Sequence, residues 1–377
     1  MGALLALALL AAARQGSGPP AEAFGLPLLD LSGEHERLVV VDRQSGQYLG
    51  HPTTVLLEDG RTMLCAYPMG HGQGAILLKR STDGGLTWSE RLPVPGSWAS
   101  SKETPTIHRV VLPDGQRRLV LFSGLHPVRR SISQDDGATW SELEPVGEWG
   151  GIVAMASLAP LADGSHAVWF HDDGRFLHPQ GGPAGRFTVY QSRSRDGGLT
   201  WSVPVAITSR EEVDLCEPGF LRSPDGKTLA LLLRENRRVR ESFAIFSRDE
   251  AQTWSEPLEL PRTLTGDRHV ARLAPDGRAV VSFRDTARES PTQGDWLVWV
   301  GRWEDVAERK PGSYRVRLMD NRHAWDCAYS GLELLPDGTF VATTYGHWTQ
   351  GEEPYVVSVR FKLEELDARI AGRAGER

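Results

Sequence analysis

At 377 residues, with 40 % hydrophobic and 24 % charged side chains, the chain is long enough to bury a large core, and its 40 Gly and 24 Pro suit a turn-rich all-β protein. A formal net charge of −7 weighs against polyanion binding by bulk electrostatics, so no nucleic-acid partner is expected, although local arginine clusters can still hold a small anion. After the N-terminal run no segment is long and apolar enough to span a membrane, and no membrane insertion of the mature chain is expected.

Residues 1–13, MGALLALALLAAA, form a short apolar run ending in small residues before Arg14 and read as a secretory signal peptide. A secreted or periplasmic protein is therefore expected. Cys65, Cys216 and Cys327 are odd in number and lack metal-ligand spacing, so buried thiols are expected rather than a disulfide framework, which leaves a cytoplasmic location open. Residues 14–35 read as a Gly/Pro-rich leader, and a strand is expected from Glu36 to Asp42.

Two repeats organise the rest of the chain. The stretch STDGGLTW at 81–88 returns as SQDDGATW at 133–140, SRDGGLTW at 194–201 and SRDEAQTW at 247–254, with starts 52, 61 and 53 residues apart, the mark of a repeated supersecondary unit. Each copy reads as a tight hairpin in which Asp accepts from turn N–H groups, Gly allows positive φ and Trp covers the turn. A second repeat is finer. Asp-Gly turns recur at Asp59-Gly60, Asp114-Gly115, Asp163-Gly164, Asp225-Gly226, Asp276-Gly277 and Asp337-Gly338, each between two apolar, β-rich runs.

Six hairpins predict six blades, approximately 49–98, 99–150, 151–209, 210–264, 265–322 and 323–361, so residues 36–361 read as one all-β, six-bladed β-propeller. The strand at Glu36–Asp42 would supply the outer strand of the last blade and close the ring, removing exposed sheet edges. Blade three carries an inserted loop, His171 to Gly185, and blade five replaces the Trp hairpin with WEDVAERKPGSY, expected as a short helix and turn. Residues 362–377 are expected as a C-terminal surface helix.

Aligning the hairpins on the turn Asp places His51, Thr106, Met155, Glu217, Arg268 and Tyr329 eight residues before it. Eight residues after it stand Tyr67, Phe122, His171, Leu233, Arg284 and Tyr345, with Arg234 one further on. Both sets lie opposite the turns, so they ring one mouth of the central channel. Polar groups gathered at one end of otherwise apolar strands point to a binding mouth.

The Ser-x-Asp-x-Gly-x-Thr-Trp hairpins resemble the Asp boxes (BNR repeats) of the sialidase (neuraminidase) superfamily, and the resemblance covers roughly residues 36–361. CEPGFLRSPDGKTLALLLR is similar to the segment in which exo-α-sialidases place a catalytic Glu and, about seventeen residues on, an Arg of a carboxylate-binding triad; the resemblance implies Glu217 and Arg234. CAYSGLELLPDG resembles the segment of the nucleophilic Tyr, implying Tyr329, and Arg284 in VVSFRD falls where another triad Arg is expected. The chemistry suits these residue types. Guanidinium groups grip a sugar carboxylate bidentately, and a neutral Tyr–Glu pair avoids pressing a carboxylate nucleophile against an anionic sugar.

Two features depart from that pattern: Gly50-His51-Pro52 stands where the family has Arg-Ile-Pro, and Tyr67 to Gly74 carries no carboxylate where its general acid is expected. Arg268 is a candidate third guanidinium, and His51 and His71 are candidate proton donors. The run His171-Asp172-Asp173 offers Asp173 as a second candidate acid, with His171 and Asp172 as substrate contacts, and Glu103 is a further acid candidate. Asp267, Arg268 and His269 cannot all face one pocket from an extended strand; Arg268 is favoured by register, with Asp267 or His269 as loop contributors. Tyr345, His347 and Trp348 could form a stacking wall for a sugar ring.

No cofactor or metal is expected, since GxxxxGK[ST] and HExxH motifs are absent and the histidines have no ligand spacing. The expected function is that of an exo-acting glycoside hydrolase releasing an acidic sugar, sialic acid or a relative, with an acidic glycan as partner. Two rivals are a polysaccharide lyase acting on uronate-containing glycans and a non-catalytic glycan-binding propeller.

Overall fold

Each Asp-Gly turn joins the first two strands of one antiparallel sheet, and six such sheets follow one another along the chain. The structure, a computed structural model, describes residues 22–177 and 185–375. The expected signal run 1–13 and positions 178–184 of the inserted loop fall outside those residues. First strands of the blades are Thr53–Leu56, Thr106–Val111, Ile152–Pro160, Leu215–Arg222, Gly266–Leu273 and Gly331–Leu334. Residues from all six line one axial cavity of about 250 Å³, which makes the molecule a six-bladed β-propeller.

Leu38–Asp42 pairs antiparallel with Tyr355–Lys362 as the outer strand of blade six, closing the ring. The segment expected as a leader contributes structure too. Leu26–Asp30 lies parallel to Tyr314–Met319 as an added strand of blade five, with Glu22–Ala23 beyond it, because Leu26, Leu28 and Leu29 bury themselves there. Blade five carries the short helix Trp303–Ala307, and a helix over Leu363–Gly375 follows the last strand.

The core lies between blades. Period-two strands send one face to each neighbour, so Val298, Val300 and Val316 of blade five meet Leu332, Phe340, Ala342 and Phe361 of blade six. The free cysteines Cys65, Cys216 and Cys327 are all buried.

The four Ser-x-Asp hairpins repeat one hydrogen-bond pattern at the face opposite the mouth. At Asp83, Asp135, Asp196 and Asp249 the carboxylate accepts the Ser hydroxyl at 2.8 Å, the Thr N–H at 2.9 Å and the Thr hydroxyl at 2.5 Å. These bonds hold each carboxyl below its usual pKa, and nothing in the pattern is left over for a ligand. Asp83→Ala is expected to destabilise the protein by about 1–3 kcal/mol in urea denaturation, without altering the opposite mouth.

Candidate active site

The mouth residues owe their direction to broken strands. His51, Met155, Glu217 and Arg268, four of the six positions aligned eight residues before the turn Asp, have φ between 50° and 54°. Register shifts accompany them in the first strands of blades three, four and five. A bulge turns the backbone left-handed and re-aims the side chain, at a cost of about 1–3 kcal/mol per residue. This resolves the alternation problem at 267–269: Asp267 and Arg268 both reach the mouth, while His269 turns away to bond the Leu264 carbonyl at 3.0 Å and stack on Phe283.

At the centre, the Tyr329 hydroxyl donates to Glu217 Oε1 at 2.5 Å, and Arg234 Nη1 donates to Glu217 Oε1 at 2.7 Å and to the Tyr329 oxygen at 2.9 Å. Burial next to Glu217 pushes the phenol pKa far up, so Tyr329 is protonated. Burial also opposes charge on Glu217, but Arg234 and the Tyr329 hydrogen bond outweigh it and hold the carboxyl below its usual range. His171 supports this group from behind. It is a buried ring whose Nδ1 accepts the Glu217 N–H at 3.4 Å, and burial lowers its pKa to about 4.

Asp267, fully buried, gathers three guanidinium groups. Arg238 binds it with both terminal nitrogens at 2.5 and 2.7 Å, Arg284 with Nε at 2.9 Å and with Nη2, and Arg234 with Nε at 3.1 Å. Burial favours the neutral acid, yet the charges of Arg284, Arg234 and Arg238 drive the Asp267 pKa far down. Arg268 differs from all three. It is 6 % exposed and donates to the Ala156 carbonyl at 3.0 Å, and among the described residues no carboxylate pairs with it.

A second cluster adjoins the first. The Gly72 N–H donates to His51 Nδ1 at 3.1 Å, so the ring proton sits on Nε2 and faces the Tyr345 hydroxyl at 3.0 Å. Burial and the neighbouring His71 keep His51 neutral, which leaves it a relay in this network rather than the proton donor expected from sequence. Tyr345 in turn donates to Asp326, as does Tyr48, and His347 meets the same carboxylate at 3.0 Å. Asp326 has no place among the sequence candidates, although it lies three residues before Tyr329.

Other candidates move. Asp172 organises its own turn, accepting the N–H groups of Gly174, Phe176 and Leu177, and is wholly buried. Asp173 is paired with Arg175 at 2.8 Å in that turn, which removes the reason for giving it the acid role. Tyr345 is inaccessible and Trp348 packs on Trp296, so neither offers a sugar a face. The exposed aromatic at this end is Trp325, 56 % exposed and absent from the sequence candidates. Glu103 is a real neighbour of the site: burial and the charge of Glu217 raise its pKa. Among the described residues no group of three His, Cys, Asp or Glu side chains is placed to hold a metal ion.

No protein-family model matches the chain. It is 26 % identical, over 89 % of its length, to a sialidase of Micromonospora viridifaciens, of which it spans 56 %. The structure superposes with a TM-score of 0.69 on a Dyadobacter fermentans protein of unknown function, at 14 % identity, covering 86 % of this chain and 97 % of that one. It superposes with a TM-score of 0.57 on the intramolecular trans-sialidase of Ruminococcus gnavus in complex with oseltamivir carboxylate, at 15 % identity, covering 85 % and 95 %. The chain is thus similar in sequence to sialidases and has the six-bladed propeller fold of the solved trans-sialidase.

Removing Asp267 leaves three guanidinium groups facing one another in a dry site, so Asp267→Ala is expected to cost about 3–5 kcal/mol at neutral pH, read by urea denaturation. The Asp267 contribution is present above the ordinary carboxylate pKa and is lost as pH falls from about 4 toward its depressed folded value. The stability gap between wild type and variant should therefore narrow in acid.

Proposed function

We propose that the chain is an exo-acting glycoside hydrolase releasing an acidic sugar from glycans. The observation carrying this reading is the Tyr329–Glu217 hydrogen bond of 2.5 Å, with Arg234 donating to both oxygens. In the first step the Tyr329 oxygen attacks the anomeric carbon, its proton passes to Glu217, and the bond to the leaving oxygen breaks as that oxygen takes a proton from a general acid. In the second, water attacks the same carbon and gives its proton to the conjugate base of that acid, the bond to Tyr329 breaks, and Glu217 returns the phenol proton. Arg234 stays against the phenol oxygen, where negative charge develops.

The sugar's acidic group binds Arg268. Its guanidinium is buried beside the Tyr–Glu pair and engaged by one carbonyl, whereas of the expected carboxylate ligands Arg234 donates to Glu217 and Tyr329 and stands at ion-pair distance from Asp267, and Arg284 donates to Asp267. A buried cation lacking a carboxylate partner is the group that gains most from an anionic ligand. The names of the sialidase relatives support a glycan substrate, and the arginines support an acidic one.

The test is release of free sugar from a panel of sialylated and uronate-containing glycans, with ultraviolet absorbance followed alongside. Tyr329→Phe and Glu217→Gln should each lower kcat by about 10²–10⁴-fold. Arg268→Met should depress kcat/KM on acidic glycosides while leaving neutral ones at their low level. An absorbing product would reassign the same residues to β-elimination of a uronate. Glycan binding without turnover, unchanged in Tyr329→Phe, would leave a lectin-like propeller.

A further inference from the structure

The loop Met69–Ala75 is pinched at its base, where Met69 N–H donates to the Ala75 carbonyl at 2.8 Å, and glycines at 70, 72 and 74 carry it through φ of +148°, +69° and +108°. Its projecting residue is His71. The ring stands 4.7 Å from His51, which itself lies 4.8 Å from the Tyr329 ring, and 6.4 Å from exposed Trp325. His71 is thus at the open side of the Tyr329 centre, with its side chain 58 % exposed.

Its orientation is fixed from one edge. The Tyr48 hydroxyl gives its proton to Asp326 Oδ1 at 2.8 Å, so the Tyr48 oxygen, 2.8 Å from His71 Nδ1, must accept from that nitrogen. Asp326 Oδ1 lies 3.1 Å from the same nitrogen. His71 Nδ1 therefore carries a proton, and Nε2 on the outer edge has no protein partner among the described residues. A carboxylate-oriented imidazole with a free outer nitrogen is the arrangement that proton transfer needs.

We propose that His71, oriented by Asp326, is the proton donor to the leaving group, an inference that rests on the hydrolase reading above. Protonated on both nitrogens, His71 gives the Nε2 proton to the glycosidic oxygen as the bond to the anomeric carbon breaks. The neutral ring keeps its Nδ1 proton on Tyr48 and Asp326. In the second step Nε2 takes a proton from the attacking water, which restores the donor. Trp325 flanks the departing group. Glu103, the rival acid, has its pKa raised by burial but accepts the Thr104 N–H at 2.8 Å on Oε1, so the two candidates are separated by experiment.

An acid is needed most by the worst leaving group, which separates a proton donor from a merely structural residue. The probes are the 4-nitrophenyl and methyl glycosides of N-acetylneuraminic acid and of glucuronic acid, assayed on the full chain. His71→Gln should lower kcat/KM by about 10²–10⁴-fold on the methyl glycoside of the sugar that is turned over, and by less than about tenfold on its 4-nitrophenyl counterpart. Asp326→Asn, acting through His71, should show the same leaving-group dependence at smaller amplitude, and Glu103→Gln should lack it. Equal losses on both glycosides in His71→Gln, or the leaving-group pattern in Glu103→Gln, would overturn the assignment and leave the hydrolase reading standing. Absence of turnover by wild type on all four probes would overturn both.

Discussion

The closing strand is the constraint on which the mouth depends. Leu38–Asp42 comes from before the first blade and pairs with the last, so the two ends of the repeat are locked together. Asp42 extends that lock sideways, accepting from Tyr67 of blade one at 2.5 Å and from Arg91 at 2.7 Å. The contact from His51 to Tyr345 joins blade one to blade six across this seam, beside Tyr329. A propeller left open there would keep its blades and lose the geometry between them.

Inside the mouth, electrostatics are arranged in a division of labour. Three guanidinium groups share Asp267, which holds them close in a site from which water is largely removed and where unpaired like charges would repel strongly. Arg268, next in the chain, is left outside that arrangement. Of the three, Arg234 also bonds Glu217 and Tyr329, whereas Arg268 is a buried cation with no carboxylate partner among the described residues. In the same way the histidines split, with His51 and His171 buried and neutral and His71 at the surface.

Much of this is legible in the sequence because the hairpins share one register. Counting from the turn Asp singles out Glu217, Arg268, Arg284 and Tyr329, and these do converge with Arg234. The count cannot see what each side chain bonds. Asp172 and Asp173 resemble acids because they are carboxylates next to a mouth position, yet a loop uses Asp172 to satisfy its own N–H groups. Asp267 escapes the count because a bulge brings it to the mouth beside Arg268, while His269 turns away. Asp326 and Trp325 lie in the connection before blade six, off the strand register altogether, so no periodicity points to them. The leader hides its strand for a simpler reason: PLLD is short, and its partner strand lies almost three hundred positions away.

The left-handed bulges also limit how this mouth can diversify. A β-branched side chain is strained at φ near +50°, a strain that Val153 bears at +45° in blade three, so Val, Ile and Thr are costly occupants at the positions of His51, Glu217 and Arg268, while Asn, Asp and Gly enter easily. The backbone thus acts as a filter on the residue alphabet available to the site. New specificities can arise there by exchanging one unbranched side chain for another, with the aim of each preset by the strand that carries it.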